Sequence, residues 1–298
     1  MASWSGKTKG GPLGYRIFIF LLKHFNIRIA YFVLIFVAFW FFLFSNKQGI
    51  RFYFRHVLKY SYFKTQKSIY RNYYIFGQVL LDRIAIAAGF STKFSFNFEG
   101  EHFLHKMAEE NTGGILVGAH VGNWKIAGKL LERINAKINI LMYDGEQHYI
   151  RDLVGSVMRK YNIEIIYIKE NSNDYLFKIA EALKNKEIIA MHGDRFLPGT
   201  NNAVKNFMGF EAEFPTGSVY LASKYNVPVV YVSAMKEKTT HYHFFATPPK
   251  LYKYPANLKT RKQELSAMMD DYIAEMERVV KQYPLQWFNY HQFWKISN

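Results

Sequence analysis

The sequence predicts an α/β protein: a central, mostly parallel sheet flanked by helices, with a membrane-associated helical region at its N-terminus. Three observations lead there. From residue 94 onward, short apolar runs of strand length alternate with amphipathic stretches long enough for helices, the pattern of a parallel sheet covered on its faces. Ahead of it, residues 29–45 (IAYFVLIFVAFWFFLFS) run for 17 positions without a charge. A chain of 298 residues, 50% hydrophobic and 18% aromatic, has material for a sizeable core and does not have the composition of a disordered chain.

The formal charge of +16 is unevenly placed. Residues 1–81 hold twelve basic residues and no acid, together with 23 of the 54 aromatics; the first acid is Asp82. As a helix the uncharged run is about 26 Å long, somewhat short of a hydrocarbon core of about 30 Å. Basic residues flank it on both sides, Lys7 to Arg28 before and Lys47 to Arg71 after, without the one-sided bias of a single span. The expected arrangement is a helix lying in, or dipping into, one leaflet with its Lys and Arg neighbours at anionic headgroups. A buried core helix is the alternative. The run starts too late for a signal peptide, and no small-residue cleavage site follows. Basic residues interleaved with bulky aliphatics, with no recognition motif, argue against nucleic acid as a partner.

Residues 50–92 read as helical, with apolar residues at three- and four-residue spacing among basic ones. Residues 94–98 form a strand candidate, 101–110 a helix, GILVG at 114–118 a buried strand, and 123–134 a helix. Further strands are expected at 138–143, 163–168, 187–191, 227–234 and 243–246, and helices at 146–161, 173–185, 216–225 and 261–282. No repeat or linker interrupts the pattern. Residues 1–48 therefore read as an N-terminal anchoring region and 49–298 as one α/β domain.

Cysteine is absent, which excludes a disulfide scaffold, a Cys nucleophile and Cys-ligated metal. No nucleophile elbow, Walker A loop or Rossmann glycine fingerprint is present, so hydrolase, P-loop and dehydrogenase chemistries are disfavoured. His241 with His243, and His102 with His105, are spaced for one face, but neither pair has an acidic or Cys partner at ligand spacing; no metal and no cofactor is expected.

Two strand ends carry the candidate chemistry. In GILVGAHVGNWKIAGKLL (114–131) a strand runs into His120, and Gly122, Asn123 and Trp124 open the next element. A His at the end of a buried strand can reach a reacting group in the crevice outside the strand ends. Gly122 permits close approach, and the first helical N–H groups are candidates to hold an oxyanion. A core or capping histidine is the competing reading. In IIAMHGDRFLPGT (188–200), Asp194 suits orientation of an imidazole or binding of an acceptor hydroxyl. Arg195 suits a phosphate or a developing oxyanion, with a plain surface ion pair as the alternative. Pro215, Thr216 and Gly217 read as architecture.

Taken together, AHVGNW (119–124), GDR (193–195), FPTG (214–217) and QWFNYHQFWK (286–295) resemble the late acyltransferases of lipid A biosynthesis, the lauroyl/myristoyl transferase family. That family sits within the lysophospholipid acyltransferase-like superfamily. Trp4, Gly6, Lys7 and Gly14–Tyr15–Arg16, with the apolar run, also look like its membrane-bound members. The resemblance implies a protein of the bacterial inner membrane with its active domain on the cytoplasmic side. It implies transfer of a fatty acyl chain from acyl carrier protein or acyl-CoA to a hydroxyl of a lipid, with His120 as general base and no other cofactor. Anionic lipid and acyl carrier protein are the partners it implies.

The family pattern places an acid five residues after the His; here that position is Lys125. A protonated lysine accepts no hydrogen bond and disfavours imidazolium. Three readings follow. Another carboxylate, first of all Asp194, orients His120; or Lys125 holds an anionic donor or acceptor and the protein acylates an amine or unusual hydroxyl; or the chain is a non-catalytic membrane lipid-binding or scaffold protein. Arg159, in the expected helix 146–161, is a further candidate for a headgroup or donor phosphate.

Overall fold

The computed structural model describes residue 20 and residues 27–87, 89, 93–127, 133–143, 162–168, 174–196 and 199–295. Helix α1 (Ile27–Phe44) realises the uncharged run. Ile27, Ala30, Tyr31, Leu34 and Ala38, at three- and four-residue steps, are buried on one stripe. Phe32, Phe36, Phe39, Trp40, Leu43 and Phe44, around the rest of the helix, stay exposed. Among the described residues it is the one helix long and apolar enough to cross a membrane by length and composition. Short α2 (Gln48–Phe52) winds into a π turn (Tyr53–Val57), and α3 (Tyr62–Ala87) then packs along α1. The single helical stretch expected over 50–92 is thus broken at residues 58–61.

The strands are β1 (Ser95–Glu99), β2 (Gly114–Gly118), β3 (Ile138–Tyr143), β4 (Ile163–Ile168) and β5 (Ile188–His192). After the hairpin β6 (Asn202–Phe207) and β7 (Phe210–Pro215) come β8 (Val229–Lys238) and β9 (His241–Ala246). Seven of them form one sheet in the order β1-β9-β8-β2-β5-β3-β4. From β8 to β4 all neighbours are parallel; the β8–β9 junction alone is antiparallel, and β1 follows β9 in parallel. All of GILVG is buried, as a central parallel strand covered on both faces requires.

Helices α4 (Glu101–Glu109), α5 (Asp174–Lys184), α6 (Gly217–Tyr225) and α7 (Arg261–Gln282) lie close to the expected positions. Two expectations change. Of the helix expected over 123–134, the described residues show a 3-10 turn at Trp124–Ala127 and a turn at residue 133, residues 128–132 lying outside the described residues. Hairpin β6–β7 fills a stretch without an expected strand. The helix expected at 146–161 lies outside the described residues.

The aromatic tail is a strap across the C-terminal edge of β2. Val121 pairs with Trp287, the Phe288 N–H donates to His120 O (3.1 Å), and Asn72 Nδ2 donates to Leu285 O and Trp287 O at 3.0 Å each. Farther on, Trp294 pairs with Ala212, and its Nε1–H donates to Phe207 O at 2.9 Å. Trp287 and Trp294 are buried among Tyr53, Phe207 and Phe293, so the tail is core rather than a loose terminus.

Candidate active site

Strands β2 and β5 are parallel neighbours with Gly118 opposite His192, so the two chains leave the sheet side by side. His120 and Asp194 each stand two residues beyond that pair. The exits are held together by the Gly193 N–H, which donates to Gly118 O at 3.0 Å, and by the Tyr272 hydroxyl, which donates to the same oxygen at 3.1 Å. Gly193 is obligatory here: a Cβ would lie 2.7 Å from Tyr272 Cζ and 2.9 Å from Val117 Cγ1.

Asp194 grips His120 twice. One carboxylate oxygen accepts the His120 backbone N–H and the other bonds ring Nδ1, each at 2.9 Å. The Asp194 side chain is 3% exposed and that of His120 19%. With Nδ1–H donating to a carboxylate, the lone pair resides on Nε2, the form a general base needs. Burial by itself would raise the Asp194 carboxyl, but the charge and hydrogen bond of His120, then Arg195 and His192, hold it well below the usual carboxylate range. It therefore remains ionised beside the imidazole.

The rest of the cluster is aromatic. The His192 ring lies 4.5 Å from that of His120 between centroids, and half-buried Trp124 presents its edge at 4.4 Å from His192 and 5.8 Å from His120. His120, His192 and Asp194 bring their ligand-type atoms within 4.8 Å of one another, close enough to gather a metal ion, while the Nδ1–carboxylate bond suits a proton-transfer pair. His291, from the strap, feels the charges of Arg195, Asp194 and His120; burial first, then Arg195, pushes its imidazole down to about 4. His192 and His291 were not singled out in the sequence. The rule that selected His120, a polar residue where a buried strand ends, also selects His192 when applied to MHGD.

Gly122 and Asn123 have a different task from the oxyanion binding expected of them. Gly122 adopts φ +64°, and a Cβ there would meet Ala234 O at 2.2 Å. Its N–H donates to Gln286 O (2.8 Å) and that of Asn123 to Ala234 O (2.7 Å), so both amides are committed to the framework. Thr216 is likewise architectural, its hydroxyl and N–H both donating to Asn201 O. The backbone of Lys125 lies on the 3-10 turn, its side chain outside the described set, and Arg159 lies outside the described residues altogether. His241 bonds Ser95, and His243 bonds Glu237 and reaches Glu99, away from this cluster.

No curated protein matches the chain. Among solved structures, the crystal structure of the 1-acyl-sn-glycerophosphate (LPA) acyltransferase PlsC from Thermotoga maritima is similar at 18% identity and a TM-score of 0.42, over 88% of this chain and 99% of that one. The family model for bacterial lipid A biosynthesis acyltransferases matches residues 14–296, nearly the full length, and the chain belongs to that acyltransferase family.

Proposed function

We propose that this acyltransferase moves a fatty acyl chain from a thioester donor, acyl carrier protein or acyl-CoA, to a hydroxyl or amine of a lipid, with His120 as the general base. The observation that carries the reading is the double grip of Asp194 on His120, which sets both the ring orientation and its tautomer. Nε2 takes the acceptor's proton as its oxygen or nitrogen attacks the thioester carbonyl. The C–S bond then breaks, and the departing thiolate takes the proton back from the imidazolium. Asp194 stabilises the transient imidazolium without being protonated itself.

Arg195, whose charge acts on Asp194, is the candidate to meet the developing oxyanion or a donor phosphate, with Trp124 and His192 as the wall beside the base. Lys125 and Arg159 remain candidates for anionic groups of donor or acceptor. The acceptor, on the family resemblance, is a lipid A precursor or a related lipid, and the setting is the cytoplasmic face of the bacterial inner membrane. Membrane association is supported by α1, whose one stripe docks on α3 while its other faces stay exposed and apolar. Exposed Arg51, Arg55, Lys59, Lys64, Lys67 and Arg71 follow it, the pattern of an interfacial anchor on anionic lipid.

The test is transfer of radiolabelled acyl chains from acyl carrier protein or coenzyme A to a lipid extract by the purified protein in detergent. The wild type is expected to label a lipid and His120→Ala to label none; equal labelling by both would remove His120 from the mechanism.

A further inference from the structure

Away from the reacting groups lies a buried ion pair that the acyl-transfer step does not use. Asp82 on α3 is fully buried and Lys236 on β8 nearly so, at 6%. Taking both charges out of water is costly, and only complete pairing offsets it. Here the pairing is complete. The Asp82 carboxylate accepts from the Lys236 ammonium and from the hydroxyls of Tyr31 and Tyr242. The ammonium also donates to Tyr31 Oη (3.1 Å) and to Thr239 O. Four elements, α1, α3, β8 and β9, thus meet at one carboxylate.

Two chains of hydrogen bonds lead from this cluster to the turn that follows His120. Through the side chains, Tyr242 spends its one proton on Asp82 and can therefore only accept from Asn123, whose Nδ2 stands 3.1 Å away. That fixes which way the buried Asn123 amide faces, and Asn123 in turn is tied to β8 through its N–H. Through the backbone, Lys236 N–H donates to Gln286 Oε1 (2.9 Å) and Lys236 O accepts from Gln286 Nε2 (2.7 Å), while Gln286 O accepts the Gly122 N–H. The apolar helix enters through Tyr31 alone among these residues.

We propose that Asp82, Tyr242 and Tyr31 are positioning residues: they form a polar relay through which docking of helix α1 sets the geometry of the Gly122–Asn123 turn and so of His120. The proposal rests on the reading of His120 as the base. A cluster of this kind is dearer than apolar packing of the same volume, and what it supplies instead is a single arrangement of four elements and one orientation of the Asn123 amide. Seating of the interfacial helix and readiness of the site are then one equilibrium.

Tyr31→Phe and Tyr242→Phe remove the two links while leaving Asp82 and Lys236 paired. The readouts are amide hydrogen exchange of the full chain in detergent and the kcat–KM split of acyl transfer. Both variants are expected to speed exchange of the 119–124 amides about tenfold over that of β5, and to lower kcat about tenfold with KM within about twofold. On the side-chain route the two links act in series, so the double variant is expected to lose less than the product of the two single losses. Asp82→Asn combined with Lys236→Met removes both charges together and provides a folded control for loss of the relay. Exchange that stays unchanged at 119–124, or rises evenly over the whole sheet, overturns the proposal, as does unchanged kcat in both single variants. If the wild type transfers no acyl chain, the functional reading fails and the exchange data alone decide the relay.

Discussion

Replacing Asp194 by asparagine changes little in shape and removes one acceptor. Two donors, the His120 backbone N–H and ring Nδ1–H, each reach a separate carboxylate oxygen at 2.9 Å. An amide has one acceptor oxygen, so it satisfies one donor and turns its NH2 to the other. Facing the ring, the NH2 makes Nδ1 the acceptor, and the proton moves to Nε2, where the base is lost. Facing the backbone N–H, it sets donor against donor at a side chain 3% exposed, costing about 1–3 kcal/mol of stability. Tautomer loss of this type costs about a thousand- to ten-thousandfold in kcat, or about 4–5.5 kcal/mol of transition-state stabilisation. Initial rates of radiolabelled acyl transfer, measured on a variant whose melting transition remains cooperative, provide the test. A kcat within tenfold of wild type would refute the assignment of Asp194 as the orienting acid.

Three further outcomes follow from the same geometry. Lys125→Glu is expected to change kcat by less than about tenfold, since Nδ1 is already occupied by Asp194; a gain of about a hundredfold or more would contradict this. His291 is held neutral in the fold to about 4 against about 6.5 when unfolded. The unfolded chain therefore gains a proton first as pH falls from about 6.5 to about 4, and stability drops across that window. Discounted for partial exposure, the loss is about 1–2 kcal/mol; His291→Gln should flatten that part of the denaturation midpoint against pH, and an unchanged slope would count against it. Phe36→Asp with Trp40→Asp, both on the exposed side of α1, should abolish flotation with anionic vesicles while moving Tm by less than about 2 °C; retained flotation would deny α1 an anchoring role.

The parts of the fold that could be read from the chain are those where one local signal dominates. Uniformly apolar GILVG and the three- and four-residue spacing of Leu265, Met269, Tyr272, Ile273 and Met276 name their elements without help from tertiary structure. The hairpin β6–β7 was illegible because its tight turn is Met208–Gly209, both at positive φ, rather than an Asn-Gly or Asp-Gly pair. At the start of the helix expected over 123–134, the described residues form a 3-10 turn, for a tertiary reason. Gly122 and Asn123 are pinned by Gln286 and Ala234, residues more than a hundred positions away, and apolar periodicity carries no trace of that. Of the site, His120 and Asp194 were legible as polar residues at strand ends. His291 was not, since its place beside them depends on the strap closing over β2.

The family pattern puts the acid five residues after the histidine, close to it along the chain. In this chain the corresponding position is a lysine, and the carboxylate comes from the neighbouring strand. Their separation is then a property of the sheet: Gly118 pairs with His192, Gly193 bonds back to Gly118, and both functional residues stand two places beyond the pair. A slip of one residue between β2 and β5 would turn Asp194 to the other side and leave His120 without its partner. The constraint therefore moves from residue 125 to the Gly118–Gly193 contact, where Tyr272 and Val117 leave no room for a side chain. On the proposed reading of His120 as the base, position 125 is released from orienting the imidazole, and a positive charge there does not conflict with base catalysis so long as Asp194 stays ionised. The lowered pKa of that buried carboxyl, held down by the His120 charge and hydrogen bond, secures this condition.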